Sequence, residues 1–477
     1  MVYFKQYYLG CLAHASYVLA SEGQACIIDP QRDVSEYLNE LEAHSLKLKY
    51  IIETHLHADF VSGHIELAAR TGASVVISHR AKAAFDHLGV KDQDKLALGK
   101  LELTILETPG HTPESICILA EAKEKSADQF ESMLFTGDTL FVGDVGRPDL
   151  VCHWGYEPAE MAAHLYDSLQ NKILTLPDNT LVYPAHGAGS LCGKNISQER
   201  HSTIGEQKKF NWALKPMGKD EFIDLLTKDL PEVPKYFTKA VEKNRSGAAE
   251  LAALPELEEL TAQETEARQK RGALLLDVRS ADEFCQGHPA GALNIGLGGQ
   301  FASFSGILVD AEREKIIIGS KEQAEEAVIR LARAGLENVT GYLKSTDGSP
   351  IETWKKAGLK VVSVPQLSVN ELAMKLKNDP KVVVLDVRRK GEYVGGHIPG
   401  ARSVPLSELV NAVSDLDKDT TFHVICAGGY RSTMAVSLLL QHGFESLHNV
   451  QGGTMAWRKA GHDVDVKEIT ACQSNNK

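Results

Sequence analysis

Residues 274–295 read LLLDVRSADEFCQGHPAGALNI, and residues 383–404 read VVLDVRRKGEYVGGHIPGARSV. Asp277, Arg279 and His288 recur as Asp386, Arg388 and His397, each 109 residues later. A spacing this long denotes two tandem domains, because solenoid repeats run to roughly 20–50 residues. Each copy opens on an apolar run, turns at LDVR and continues into strand–helix pairs, which predicts two small parallel-sheet α/β domains. The copies then diverge. EKIIIGSKEQAEEAVIRLARAG stands where the second copy has FHVICAGGYRSTMAVSLLLQHG, with Gly319 in the place of Cys426.

Ahead of the repeat, strands alternate with helices. YVLA and ACIIDP read as strands around the turn SEGQ, VSEYLNELEAHSL as an amphipathic helix and KYIIETH as a returning strand. GHIELAARTG continues as a helix. VVIS, LELTILETPGH, SMLF (after the charged turn AKEKSADQFE) and LVYPAH supply further strands. Residues 196–250 read as helical and charged, interrupted at PEVPKYF, and ELAALPELEELTAQETEARQKRG marks the boundary zone. The 477 residues exceed what one growing core accommodates. We expect domains at 1–250, 258–360 and 364–477.

The net charge of −13 gives polyanions no global attraction, so nucleic acid is not an expected partner. No apolar run approaches the roughly 20 residues of a membrane span. The opening MVYFKQYYLGCLAHASYVLA reads as strands and not as a targeting signal, which favours the cytoplasm. Eight cysteines, at positions 11, 26, 117, 152, 192, 285, 426 and 472, form no CxxC pair. Free thiols are expected, most of them buried. Tandem domains do not specify an oligomeric state, so a homo-oligomer is compatible with them.

Potential metal ligands recur where the N-terminal strands end. THLHADF carries His55, His57 and Asp59, ETPGHTPES carries His111, FTGDTLF carries Asp138 and YPAHGAG carries His186. At i and i+2, His55 and His57 share one side of an extended chain, unless the turn at the strand end separates them. In this order the set resembles the metallo-β-lactamase superfamily, across roughly residues 1–200. That resemblance implies an αββα sandwich. Two-metal members usually read HxHxDH, and the last histidine is Phe60 here. A phenyl ring has no lone pair, which weakens a second metal site.

The wording is nearer still to the ETHE1-like branch, the persulfide dioxygenases. That resemblance implies one Fe(2+) per chain, held by His55, His111 and Asp138. His57, Asp59 and His186 then stand behind the ligands and orient them. Two imidazoles and one carboxylate are the facial set of non-haem iron oxygenases, which leaves positions for substrate sulfur and dioxygen. Arg147, in GDVGRPDL, is the implied contact for the anionic substrate, with a plain salt bridge as the alternative. Cys192, in GAGSLCGKN, is either a secondary thiol that accepts sulfur or an inert cysteine.

VICAGGYRS reads as a strand that ends in Cys426, followed by a short loop and a helix. Backbone N–H groups of such a loop make an anion nest that favours a thiolate. Gly428, Gly429 and Tyr430 line the loop, and Arg431 can pair with sulfonate-like oxygens. With LDVR and GHIPGA upstream, residues 364–465 resemble the rhodanese family, with Cys426 at the nucleophilic position and Arg431 beside it. CAGGYR closes within six residues; the longer loops of related phosphatases wrap a phosphate. Asp386 and Arg388 read as a structural ion pair. The copy at 258–360 lacks the nucleophile, and Cys285 lies far from the loop position, so a packing or interface role is expected.

The combination resembles persulfide dioxygenase–rhodanese fusions. It implies oxidation of a low-molecular-weight thiol persulfide by O2 to thiol and sulfite, coupled to sulfur transfer that makes or consumes thiosulfate. The residues do not select among glutathione, coenzyme A and bacillithiol as carrier, nor fix the direction of transfer. A zinc-dependent thioester hydrolase and a sulfur-responsive scaffold are the alternatives.

Overall fold

A computed structural model describes residues 2–124, 130–230, 233–234, 236–345 and 348–466. Cys472 and parts of AKEKSADQFE and PEVPKYF lie outside them. The chain forms two compact units, one of Met1–Leu254 with Ile329–Glu337, the other of Pro255–Val328 with Asn338–Lys477.

The first unit stacks two six-stranded sheets. In one, Val2–Leu9, His14–Ser21 and Gln24–Ile28 run antiparallel, and Lys47–Ile52, Ser74–Ser78 and Leu88–Val90 then add in parallel. The other is ordered Ser202–Thr203, Leu181–Pro184, Met133–Gly137, Ile116–Ala122, Leu101–Glu107, Lys95–Leu98. Only Met133–Gly137 and Leu181–Pro184 pair in parallel there.

Strand residues alternate between two apolar layers, as a period of two requires when both sheet faces are covered. Tyr17, Leu19, Cys26, Ile28 and Ile52 meet Leu103, Ile105, Ile116, Ile118 and Phe135 between the sheets. Val18, Ala20, Ile27 and Ile51 face outward onto Tyr37, Leu41 and Leu67, from the helices Ser35–Ala43 and His64–Thr71. Leu119, Leu134 and Val182 face Leu165 of the helix Pro158–Ser168, together with Phe222 and Leu226. The layers are therefore helix, sheet, sheet, helix, the expected αββα sandwich. The short strands Leu88–Val90, Lys95–Leu98 and Ile116–Ala122 were not legible as separate elements in the sequence.

The second unit contains two five-stranded parallel sheets built to one plan. The first orders Glu258–Leu260, Val339–Leu343, Lys315–Ile318, Leu274–Asp277 and Leu293–Asn294. The second orders Gln366–Leu367, Leu447–Val450, Phe422–Ile425, Val383–Asp386 and Arg402–Ser403. Two small parallel-sheet domains thus follow the sandwich.

The repeated LDVR is a structural clamp in both. Arg279 donates from Nε to Asp277 (2.9 Å) and from a terminal nitrogen to the Gly287 carbonyl (2.9 Å). Arg388 does the same to Asp386 (2.9 Å) and the Gly396 carbonyl (3.0 Å). His288 stacks on Phe284, and His397 on Tyr393, at centroid distances of 3.6 and 3.7 Å. The boundary stretch is split by a capping box in which Thr261 and Glu264 start the helix Ala262–Lys270, which belongs to the first copy. Among the described residues no helix is long and apolar enough to cross a membrane.

Candidate metal centre and thiol loop

His55 follows the strand Lys47–Ile52, His111 the strand Leu101–Glu107 and Asp138 the strand Met133–Gly137. Their ligand atoms lie within 4.8 Å of one another, and all three residues are buried. Asp138 Oδ2 is 3.4 Å from His111 Nε2 and 3.8 Å from His55 Nε2, yet no hydrogen-bond donor reaches it. A buried carboxylate oxygen left unpartnered between two imidazole nitrogens is what a cation would satisfy.

The protonation states suit that use. Burial, followed by the neighbouring His57, keeps His55 well below the ordinary histidine range. Burial also lowers His111, whose Nδ1 lies 2.8 Å from the Arg147 carbonyl and donates to it, which leaves Nε2 as the lone-pair side. Burial would raise Asp138, but His186 and then His55 and His111 hold its carboxylate well below the usual range. Neutral imidazoles facing a carboxylate are the ligating forms.

The other N-terminal residues divide into two groups. His186 Nδ1 lies 2.7 Å from Asp138 Oδ1, and its Nε2 lies 2.9 Å from Asp59 Oδ2. Burial opposes its charge, yet Asp138 and Asp59 together hold it well above the ordinary range. His186 therefore orients Asp138 while both of its nitrogens face carboxylates. His57 turns the other way. Its Nε2 lies 3.1 Å from Asp29 Oδ1 and 3.6 Å from Glu53 Oε2. Asp29 also accepts from Thr54 N (2.8 Å) and Thr54 Oγ1 (2.9 Å), and so anchors the HxH turn. Phe60 is fully buried, its ring 4.4 Å from that of His57 and 4.1 Å from that of His14. It fills the space beside His57 and His14 with hydrocarbon.

The Arg147 guanidinium makes a two-point pair with Asp149, at 2.6 and 2.7 Å, while its carbonyl holds His111. The salt bridge weighed as the alternative is thus present. Cys192 is buried, its donor atom grouped with those of Asp59 and His186. Burial, reinforced by the charges of Asp59 and Asp138, pushes its thiol well above the usual range. Asp29, Glu53 and His14 escaped the sequence reading. The signal was available for the first two, since IIDP and IIETH each place a carboxylate directly after an apolar strand.

In the second unit Cys426 follows the strand Phe422–Ile425 and is almost fully buried. Gly429 N donates to its Sγ at 3.1 Å, with Ser432 Oγ 3.6 Å away. Gly429 has φ +103°, a left-handed conformation that aims this N–H back at the sulfur and that a side chain would disfavour. Gly428 has open space around it. Tyr430 donates its hydroxyl to the Gly296 carbonyl of the first copy at 2.8 Å. Arg431 pairs at both terminal nitrogens with Glu392 (2.7 and 2.8 Å), a partner the sequence reading did not identify.

Profiles of known families match both units. The metallo-beta-lactamase superfamily matches residues 9–186, and the rhodanese-like domain matches residues 261–347 and 368–460. The bovine mitochondrial persulfide dioxygenase ETHE1 is 34% identical over 183 residues, 37% of this chain and 64% of that protein, so the match leaves about a third of the relative uncovered. A hydroxyacylglutathione hydrolase of Pelagibacter ubique is 31% identical over 49% of this chain and 90% of its own. A metallo-beta-lactamase crystal structure from Staphylococcus aureus, 31% identical, covers 72% of this chain and 98% of its own at a TM-score of 0.63.

Proposed function

We propose that this chain, which belongs to the metallo-β-lactamase superfamily and carries two rhodanese-like domains, is a persulfide dioxygenase joined to a sulfurtransferase. The first reaction is RSS⁻ + O2 + H2O → RS⁻ + SO3²⁻ + 2H⁺. The observation that carries it is the isolation of the His55–His111–Asp138 set, with His186 occupied by two carboxylates and His57 turned onto Asp29. One ion fits that donor set, and two imidazoles with one carboxylate suit iron(II). When bound, iron(II) supplies the redox chemistry between persulfide sulfur and O2 that no side chain here can provide.

The chain's own residues set the stage. The Arg147 carbonyl fixes the His111 ring, His186 fixes Asp138, and the Asp29–Thr54 bonds fix the turn that carries His55. Phe60, fully buried against His57 and His14, puts hydrocarbon rather than water on that side of the site. At the second centre the Cys426 thiolate attacks a sulfane sulfur, with the Gly429 N–H stabilising the sulfur charge. The partners are then a low-molecular-weight persulfide, O2, and sulfite or thiosulfate.

A second reading has its own observation. Asp59, His186 and Cys192 form a further buried donor group, in which Cys192 could take the place left by Phe60. Two zinc ions would make the N-terminal domain a hydrolase, the activity named for the Pelagibacter relative. Anaerobic purification with metal analysis and an oxygen electrode separates the two readings. One iron per chain with persulfide-dependent oxygen uptake supports the dioxygenase. Two zinc ions without oxygen uptake replaces it.

A further inference from the structure

Beside the metal-binding turn lie two carboxylates that the His55–His111–Asp138 trio does not use. Asp29 follows the strand Gln24–Ile28 and Glu53 the strand Lys47–Ile52. These strands are parallel neighbours with Ile28 opposite Ile52, so both carboxylates emerge at the same end of the sheet. Both are almost fully buried. Among the described residues neither pairs with a lysine or an arginine, and the basic groups within reach are the imidazoles of His57 and His64. Two neighbouring buried anions are costly unless a cation accompanies them.

The imidazoles do not meet that need by hydrogen bonding. His57 Nε2 lies 3.1 Å from Asp29 Oδ1 and 3.6 Å from Glu53 Oε2, yet its direction makes a hydrogen bond to neither. His64 Nδ1 lies 3.3 Å from Glu53 Oε1 and is likewise unpartnered. Both rings are completely buried. Neighbouring bonds hold the carboxylates in place. Ser62 Oγ donates to Glu53 Oε1 at 2.5 Å, which leaves Oε2 on the His57 side. Thr54 N and Oγ1 each hold one oxygen of Asp29, and each oxygen keeps a second lone pair. One donor atom apiece from Asp29, Glu53 and His57 lies within 4.8 Å of the others. For an ion about 2.1 Å from each ligand, separations of 3.1 and 3.6 Å correspond to angles of about 95° and 118°, which zinc accepts.

We infer that Asp29, Glu53 and His57 form a second metal site, for a divalent transition cation of the zinc class, separate from the His55–His111–Asp138 centre. One imidazole with two carboxylates is a borderline-to-hard donor set. A dication balances both carboxylates while His57 stays neutral. His64 stands beside Glu53, where it orients that carboxylate. The ion's role is structural: it fixes His57 on the Asp29 side, so that the trio takes only one histidine of the HxH pair. The inference does not depend on which reaction the trio performs.

Zinc is the probe. The full chain, stripped by chelation and reloaded anaerobically with one equivalent of iron(II), should bind one zinc per chain without losing its iron, as counted by native mass spectrometry and elemental analysis. X-ray absorption at the zinc edge should show one imidazole, oxygen ligands and no sulfur. The absence of sulfur separates this site from the Asp59–His186–Cys192 group, and the single imidazole separates it from the trio. Glu53→Gln should weaken zinc binding by about a hundredfold or more and leave the iron count at one. His111→Ala should do the reverse, losing iron and keeping zinc. If Glu53→Gln does not fold, the edge spectrum of the native chain decides. Failure to bind zinc beyond the trio overturns the site, as does bound zinc with two imidazoles or a sulfur. Zinc held as tightly by Glu53→Gln as by the native chain overturns it too. A chain that takes up no iron, yet binds zinc through one imidazole and no sulfur, refutes the dioxygenase reading and sustains this site.

Discussion

The two copies share a strand order, a clamp and a stacked histidine, yet one ends its central strand in Gly319 and the other in Cys426. At Gly319 a Cβ would sit 2.9 Å from Val278 Cγ2 and 3.0 Å from Gln323 Oε1. The space for a nucleophile is closed. Ser320 and Gln323 then cap the following helix against each other, Gln323 Oε1 accepting from Ser320 N at 2.9 Å and Ser320 Oγ from Gln323 N at 3.2 Å. The helix terminus that faces a sulfur in one copy is satisfied by its own side chains in the other. Loss of the thiol is therefore embedded in the surrounding packing. The first copy also bonds to the second: besides the Gly296–Tyr430 bond, Asn294 N donates to Ser437 Oγ (3.0 Å) and Gln441 Nε2 to the Gly291 carbonyl (2.8 Å). These three contacts fall along the helix Tyr430–Gln441, which begins at the thiol loop.

The largest expected effect tests whether chemistry lives in one copy only. Cys426→Ser should remove sulfur transfer by a factor on the order of 10³ or more, since no other group supplies the covalent step. Persulfide-dependent oxygen uptake should stay within about twofold. Equal loss of both activities would contradict separate centres.

Next in size is the shared clamp. Asp277→Ala and Asp386→Ala each leave a buried arginine unpaired, and should each destabilise the second unit by about 3–5 kcal/mol in urea unfolding. A large loss at Asp386 alone would show that the two clamps do not carry equal structural weight.

His288 sharpens the contrast by pH. Burial lowers it to about 4 in the folded protein, against a Phe284 carbonyl bond that works the other way. The unfolded chain takes up this proton near pH 6.5, the folded one only near 4, so stability is intact above about 6.5 and falls as pH drops toward 4. The loss should reach about 3 kcal/mol below that window, and His288→Phe should flatten it in thermal melts across pH 4–7.

Gly319→Cys should not restore a second active copy. In a Cys426→Ser background it should show no sulfur transfer and lose about 1–3 kcal/mol to overpacking against Val278. Transfer activity there would show that the thiol alone separates the copies. The smallest effect belongs to Tyr430→Phe, which removes one bond to Gly296. A loss of about 0.5–1.5 kcal/mol is expected. A rise in KM for thiosulfate with kcat unchanged would show that the first copy also steadies the loop.

Much of this was legible beforehand, for local reasons. The doubled motif announced two related domains, and alternating apolar runs announced the sandwich strands. The six candidate ligands could be noted because they stand near the ends of those strands, and a family resemblance singled out His55, His111 and Asp138 among them. Asp386 with Arg388 reads as a pair at a spacing of two, since both ends of the contact lie in one turn.

What the sequence by itself determined is therefore what short-range covalent geometry controls: the order of elements, their apolar faces, and the positions where chemistry-bearing side chains emerge. The tertiary structure alone decided which of those side chains meet. His57 turns away from His55 because Asp29, from the adjacent parallel strand, waits on its other side. Arg431 is neutralised by Glu392 from a separate helix, and Gly319 is closed in by Val278 from the neighbouring strand's end. A side chain's direction at the end of a strand is set by what packs against it, and those partners lie tens of residues away along the chain.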